Sequence, residues 1–91
     1  MSARRGCRFR VSGRVQGVNF RRSAMAAASS LGLVGWVANR RDGTVEGYAC
    51  GPGAALDEFA AWLGHGPSYA RVDRLEVEPA AIEDLAGFTI R

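Results

Sequence analysis

A glycine-bounded loop early in the chain carries the residues best suited to bind an anion. Gly13–Gly17 reads GRVQG and lies between a period-2 stretch and an Ala-rich stretch, which predicts a strand–loop–helix unit. A helix start offers unpaired backbone N–H groups and partial positive charge, and glycines let successive amides turn towards an oxyanion. Arg21, predicted at the helix entrance, would add a fixed charge. On these residues alone, a phosphate site and an ordinary loop with surface arginines are equal alternatives.

The elements that would position this loop follow from hydrophobic periodicity. Period-2 alternation marks strands, a spacing of three to four residues marks helices, and Asp42-Gly43 marks a tight hairpin. The predicted elements are a strand at 7–11, a helix at 23–33, strands at 34–39 and 44–50, a helix carrying Leu56, Phe59, Ala60 and Leu63, a strand around 72–78, and a short fifth strand at 88–91. This β-α-β-β-α-β order predicts an α+β ferredoxin-like sandwich, an antiparallel sheet with two helices on one face.

This topology would bring Asn39 to the glycine loop. The first and second strands are joined by a helical crossover and should run parallel, so their C-terminal ends lie at one edge of the sheet. The loop follows the first strand and Asn39 ends the second. Asn39 also opens a turn, where Asn is common for conformational reasons.

Composition limits the class of protein. The 91 residues predict a single domain spanning 1–91, in which we expect residues 1–6 to be a flexible tail. The net charge is +3 and all 12 basic residues are Arg, which suits an anionic ligand, although genome composition explains the same bias. No run approaches the roughly 18 apolar residues of a membrane span, and no signal peptide is evident. We therefore expect a cytoplasmic protein without membrane contact. A monomer is a separate expectation, which the composition does not establish.

The small number of cysteines and histidines argues against a metal site. Two Cys and one His are too few for a ligand cluster, so we expect neither metal nor cofactor. Cys7 shares strand parity with Phe9, on the side expected to face the helices, whereas Cys50 shares parity with Tyr48 on the opposite side. Side chains on opposite faces cannot bridge, which predicts two free thiols. His65 is expected at the surface, and Trp36 and Trp62 in packing roles.

Two blocks of the chain resemble the acylphosphatase family. Gly13–Arg21 is similar to that family's signature loop, G-R-V-Q-G-V-x-F-R. Gly35–Asn39, followed by Asp42–Glu46, is similar to its second block, G-W-V-x-N and then D-G-x-V-E. The blocks stand at the family's separation, and the resemblance extends from Cys7 to Arg91. Many members end in an aromatic residue after the final Ile-Arg, a residue that this sequence lacks.

The resemblance implies a fold, a reaction and a set of residues. It implies the ferredoxin-like fold and the metal-free, cofactor-free hydrolysis of acyl phosphates to a carboxylate and inorganic phosphate. The family's phosphate-binding arginine corresponds to Arg21 and its water-orienting asparagine to Asn39. The phosphate-binding loop amides correspond to Arg14, Val15, Gln16, Gly17, Val18, Asn19 and Phe20. Asn19 occupies a position where the family varies, often with Gly or Cys.

For the other side chains of the loop and the hairpin, the sequence predicts less specific roles. We expect Gln16 to brace the loop by hydrogen bonds and Arg14 to serve the loop through its backbone amide. Arg22, Arg40 and Arg41 are expected at the rim of the site or in solvent.

Two other functions fit the same element order. RNA-recognition domains share it, but they present stacking aromatics on the open sheet face, where only Tyr48 is expected, so nucleic acid is not an expected partner. Acylphosphatase-like domains also occur within larger enzymes that handle carbamoyl phosphate. The expected partners are small acyl phosphates or inorganic phosphate, and the physiological substrate is left open.

Overall fold

The computed structural model describes residues 3–91, which form a five-stranded sheet and two helices. The elements are β1 (Arg4–Arg14), α1 (Phe20–Ser30), β2 (Val34–Asn39), β3 (Val45–Pro52), α2 (Gly53–His65), β4 (Arg71–Ala80) and β5 (Phe88–Ile90). The predicted ferredoxin-like α+β fold is confirmed. No helix in the described range is both long and apolar enough to cross a membrane.

The sheet order explains how the two sequence blocks meet. The strands lie in the order β4-β1-β3-β2-β5. β3 is antiparallel to both β1 and β2, so β1 and β2 run in the same direction. The last residues of these two strands, Arg14 and Asn39, therefore lie at the same edge of the sheet, as predicted. β5 extends the sheet beside β2 and is parallel to it, which makes the sheet mostly rather than wholly antiparallel.

Both helices pack on one face of the sheet. Phe20, Ala24 and Ala28 of α1 and Leu56, Phe59 and Leu63 of α2 join the buried strand residues Phe9, Val11, Val37, Val45 and Ala49 in one cluster. Phe59 lies at its centre, with its ring 5.7 Å from that of Phe9 and 5.8 Å from that of Phe88. A Phe→Ala change at such a position lowers the free energy of unfolding by about 3–5 kcal/mol. The same core holds together the strands whose ends carry the site.

The opposite face of the sheet is partly covered. Trp36, Tyr48 and Cys50 form a second buried cluster there, with Leu85 packed against it. The Tyr48 hydroxyl donates to the carbonyl of Ala81 at 2.6 Å and accepts from the amide of Glu83 at 2.8 Å. The segment after β4 is thereby held across this face.

The cysteine prediction is confirmed. Cys7 packs with the helix-side cluster, Cys50 belongs to the cluster on the opposite face, and both are free. Burial raises the pKa of the Cys7 thiol. His65 is exposed at the end of α2, while Trp36 is buried and Trp62 is half-buried, as expected.

Two sequence predictions need correction. The expected tail at residues 1–6 is wrong for residues 4–6, because β1 begins at Arg4. The first residues of β1 pair with Pro52 and Gly51 of β3, and this backbone pairing forms the strand there without an alternation of buried and exposed side chains. Residues 1–2 lie outside the described part of the chain. α1 begins at Phe20 instead of Ser23, since the Phe20 side chain is only 1% exposed and anchors the first turn in the core.

Candidate active site

The glycine loop is shaped by three residues with positive φ. Gly13 has φ +128° and lies at a register shift between β1 and β4, where a methyl group would overlap the carbonyl oxygen of Arg71. Gly17 has φ +73° and Asn19 has φ +67°. Such angles are natural for Gly and are tolerated by Asn among the L-residues. They turn the chain sharply from the end of β1 into α1.

The N-terminus of α1 faces this loop without a capping side chain. Asn19 occupies the N-cap position but makes no side-chain cap bond, and the first turn of α1 holds no acidic residue. The first intrahelical bond from this end joins the Ser23 amide to the Asn19 carbonyl at 3.1 Å. The preceding amides of the turn therefore remain available to an anion, favoured by the helix dipole.

A concavity of about 270 Å³ joins the loop to the end of β2. Its lining residues are Val15, Gly17, Asn19, Phe20, Arg21, Arg22, Asn39 and Ile90. Both candidate catalytic residues, Arg21 and Asn39, are brought together here. None of the lining residues is an acid, a histidine or a cysteine. Across residues 3–91, no group of three such side chains is arranged to hold a metal ion.

Three of the predicted loop residues do not line this concavity. Arg14 is the last residue of β1, paired with Arg71 of β4 and exposed. Val18 is half-buried against the core. Gln16 is turned towards the β2–β3 hairpin.

Arg21 and Asn39 both have functional groups without strong protein partners. Arg21 is half-buried as a residue, and its guanidinium makes one exposed contact, in which Nη1 donates to the backbone oxygen of Arg91 at 3.5 Å. Among the described residues, no Asp or Glu side chain pairs with it. The Asn39 side chain is exposed and makes no hydrogen bond to the residues that the structure describes. Both groups are free to bind a ligand.

Gln16 and Asp42 make side-chain hydrogen bonds that stabilise the β2–β3 hairpin, whereas the Asn39 side chain makes none to the described residues. Gln16 Nε2 donates to the carbonyls of Arg40 at 2.7 Å and Thr44 at 2.9 Å, confirming that this residue braces the loop. Asp42 Oδ1 accepts from the Thr44 hydroxyl at 2.7 Å and from its amide at 3.0 Å. These two bonds lower the pKa of Asp42, the hydroxyl contributing most, so the carboxylate stays ionised. The loop and the hairpin are thus tied together.

Arginines surround the concavity, in agreement with the expected rim. Arg22 lines it directly, while Arg40 and Arg41 line an adjoining, more open concavity that shares Asn39. Glu46 lies 3.3 Å from Arg40 Nη1 and 3.5 Å from Arg10 Nη2, which offsets part of the positive charge. The surroundings nevertheless remain cationic and favour an anionic ligand.

The opposite sheet face lacks the features of an RNA platform. Tyr48, the aromatic expected to stack there, is only 1% exposed. Arg8 and Arg10 on that face lie opposite Glu78 and Glu76 in the β1–β4 register, and Arg10 also lies 3.5 Å from Glu46; these nearby carboxylates oppose binding of a phosphate backbone.

Sequence reasoning missed Ile90 as a residue of the site. Ile90 pairs with Val37 in the parallel β2–β5 ladder, and this pairing carries it to the concavity. A short terminal strand was expected, but no local pattern shows which strand it pairs with.

Comparisons with known proteins agree with this geometry. A family model described as Acylphosphatase matches residues 7–90. A relative named acylphosphatase from Azoarcus sp. (strain BH72) is 52% identical, over 88% of this chain and 82% of its own. The solved acylphosphatase of Coxiella burnetii is 39% identical with a TM-score of 0.94, covering 97% of this chain and 93% of that one. The acylphosphatase of Bacillus subtilis is 38% identical with a TM-score of 0.92, covering 94% and 97%. The chain therefore belongs to the acylphosphatase family, whose members hydrolyse acyl phosphates.

Proposed function

We propose that Arg21 and the loop amides bind the phosphoryl group of an acyl phosphate, and that Asn39 orients the water that attacks it. The observation that carries this proposal is the shared concavity at a helix N-terminus, lined by Arg21, which pairs with no Asp or Glu of residues 3–91, and by Asn39, whose side chain makes no hydrogen bond to those residues. Arg14 to Phe20 form the phosphate loop. In this proposal, the residues that shape the turn supply the backbone amides that bind the phosphoryl group.

The reaction asks mainly for positioning and charge stabilisation. Water attacks phosphorus in line with the leaving group, the bond from phosphorus to the acyl oxygen breaks, and the carboxylate leaves with the bonding electrons. Arg21 and the amides stabilise charge on the non-bridging oxygens. Asn39 offers one acceptor and two donors, enough to hold the water at a defined angle. The carboxylate is already a good leaving group, so no covalent intermediate is required.

The proton of the attacking water goes to the substrate's own phosphoryl oxygen in this proposal. No lining residue of the concavity is an acid or a histidine, so the protein offers no base at this place. The products are then a free carboxylate and dihydrogen phosphate, or its conjugate base after release. A kcat that follows the ionisation of a carboxyl side chain would contradict this step.

Metal independence, a monomeric state and a cytosolic location complete the proposal. The lining side chains include no carboxylate, imidazole or thiolate, and the guanidinium groups among them repel a cation. Two unpaired cysteines are typical of a reducing compartment. Sedimentation analysis and cell fractionation test the last two points.

The decisive activity test uses benzoyl phosphate with excess EDTA. We expect the native protein to retain hydrolysis in the chelator, and Arg21→Ala and Asn39→Ala each to lose about 100-fold or more in kcat/KM. Arg74→Ala is the matched control, because it removes the same charge from β4, where Arg74 pairs with Glu76 at 3.6 Å. An inactive native protein would refute the enzymatic proposal. If Arg21→Ala loses activity and Asn39→Ala does not, Asn39 is a turn residue without a catalytic role.

A further inference from the structure

Asn19 combines an unusual backbone with an unoccupied side chain. It is the one non-glycine residue with positive φ in the described range, at φ 67° and ψ 24°. Its side chain is exposed, makes no cap bond, and has no hydrogen bond to any described residue. A non-glycine residue in this backbone region costs energy, and such residues cluster at functional sites.

Asn19 belongs to the candidate site. It lines the same concavity as Arg21 and Asn39. Asn39 belongs to the end of β2 and Asn19 to the end of the loop, so the two residues line the concavity from different segments of the chain. An N-cap asparagine usually accepts a hydrogen bond from its own helix, and this one leaves that bond unmade.

An in-line displacement needs different groups on its two sides. The attacking water and the leaving carboxylate lie on opposite sides of phosphorus. Asn39 serves the water side in the proposed function, and Arg21 with the amides serves the non-bridging oxygens. The leaving oxygen gains negative charge as its bond to phosphorus breaks, and a fixed donor stabilises such charge in the transition state.

We propose that Asn19 is a further catalytic residue, whose side-chain NH₂ donates a hydrogen bond to the departing carboxylate oxygen. This role rests on the proposed function of Arg21 and Asn39. The bond is absent or weak in the ground state and strengthens as charge develops, so it raises kcat more than it changes KM. Asn19 increases the rate of a reaction that also proceeds without it.

Two substitutions separate this role from a structural one. Asn19→Gly removes the carboxamide while suiting positive φ at least as well, so the free energy of unfolding should stay level or rise. Asn19→Asp keeps the shape but has no donor, and its charge repels the leaving carboxylate. We expect kcat for benzoyl phosphate to fall about three- to tenfold in the glycine variant, as for one donor to a developing charge at an exposed site, and further in the aspartate variant.

The leaving-group dependence is the direct test. Single-turnover rates, with enzyme in excess, are measured for 4-methoxybenzoyl, benzoyl and 4-nitrobenzoyl phosphate with the native protein and with Asn19→Gly. We expect the ratio of native to variant rates to be largest for the methoxy compound, whose carboxylate is the poorest leaving group, and smallest for the nitro compound. An equal ratio across the series, or no loss of rate, would overturn the proposal. Failure of the underlying function gives a different result, since native protein would then turn over none of the three.

Discussion

Replacing Gln16 by Met removes the connection between the phosphate loop and the hairpin while keeping the side chain's length. Two hydrogen bonds are lost, from Gln16 Nε2 to the carbonyls of Arg40 and Thr44. Each such bond contributes about 0.5–1.5 kcal/mol net. Both carbonyls keep a second donor, because Arg40 O also accepts from the Gly43 amide at 3.2 Å and Thr44 O from the Arg40 amide at 2.8 Å. No buried acceptor loses its last donor, so the expected loss in the free energy of unfolding is the sum of the two bonds, about 1–3 kcal/mol.

The catalytic effect of Gln16→Met should exceed the stability effect. Gln16 connects the loop that leads into Arg21 with the hairpin that follows Asn39. A displacement of reacting groups by about 1 Å can lower the rate about 100-fold. We expect kcat/KM for benzoyl phosphate to fall about tenfold under conditions where the variant is fully folded. Urea denaturation measures the first quantity and initial rates measure the second. Stability and kcat/KM both equal to those of the native protein would refute the bracing role.

Three further predictions concern the loop backbone, the covered sheet face and the thiols. Gly13→Ala should lower the free energy of unfolding by about 2–4 kcal/mol, because alanine disfavours φ +128° and its methyl meets a β4 carbonyl; equal urea midpoints would contradict this. Tyr48→Phe should cost about 1–3 kcal/mol through its two lost hydrogen bonds. Burial raises the pKa of Tyr48, so its linkage contribution is present below pH about 10 and is lost as pH rises through the folded value. Because Cys7 also has a raised pKa and is present in both proteins, stability should fall more in native protein than in the variant over this alkaline range. Thiol titration of unreduced, unfolded protein should find Cys7 and Cys50 both free, with Cys50 unreactive before unfolding because it is fully buried; fewer than two thiols would indicate a bridge.

Much of the fold could be predicted because its local signals are strong. The alternation of Cys7, Phe9 and Val11 marked β1, and Asp42-Gly43 marked the hairpin, where Gly43 has φ +91°. The crossover between β1 and β2 makes these strands parallel, so their ends lie at one edge of the sheet, and this predicts from the sequence alone that Asn39 lies near the loop.

The features that sequence reasoning missed depend on contacts between distant segments. The start of β1 at Arg4 depends on pairing with β3, and its arginines show no burial pattern. Ile90 enters the site only because β5 pairs with β2. The cover over the second sheet face rests on hydrogen bonds from Tyr48 to residues more than 30 positions away, which no local periodicity signals.

The inhibition constant of inorganic phosphate in the two site variants tests the central assignment most directly. Arg21 is proposed to bind the phosphoryl group and Asn39 the water, so the two changes should separate binding from turnover. We expect Asn39→Ala to keep a phosphate inhibition constant within about twofold of the native value while kcat collapses, and Arg21→Ala to lose phosphate binding as well as activity; the residual rate of Asn39→Ala suffices for the measurement at high enzyme concentration. Equal loss of phosphate binding in both variants, or retention of it in Arg21→Ala, would contradict the division of roles.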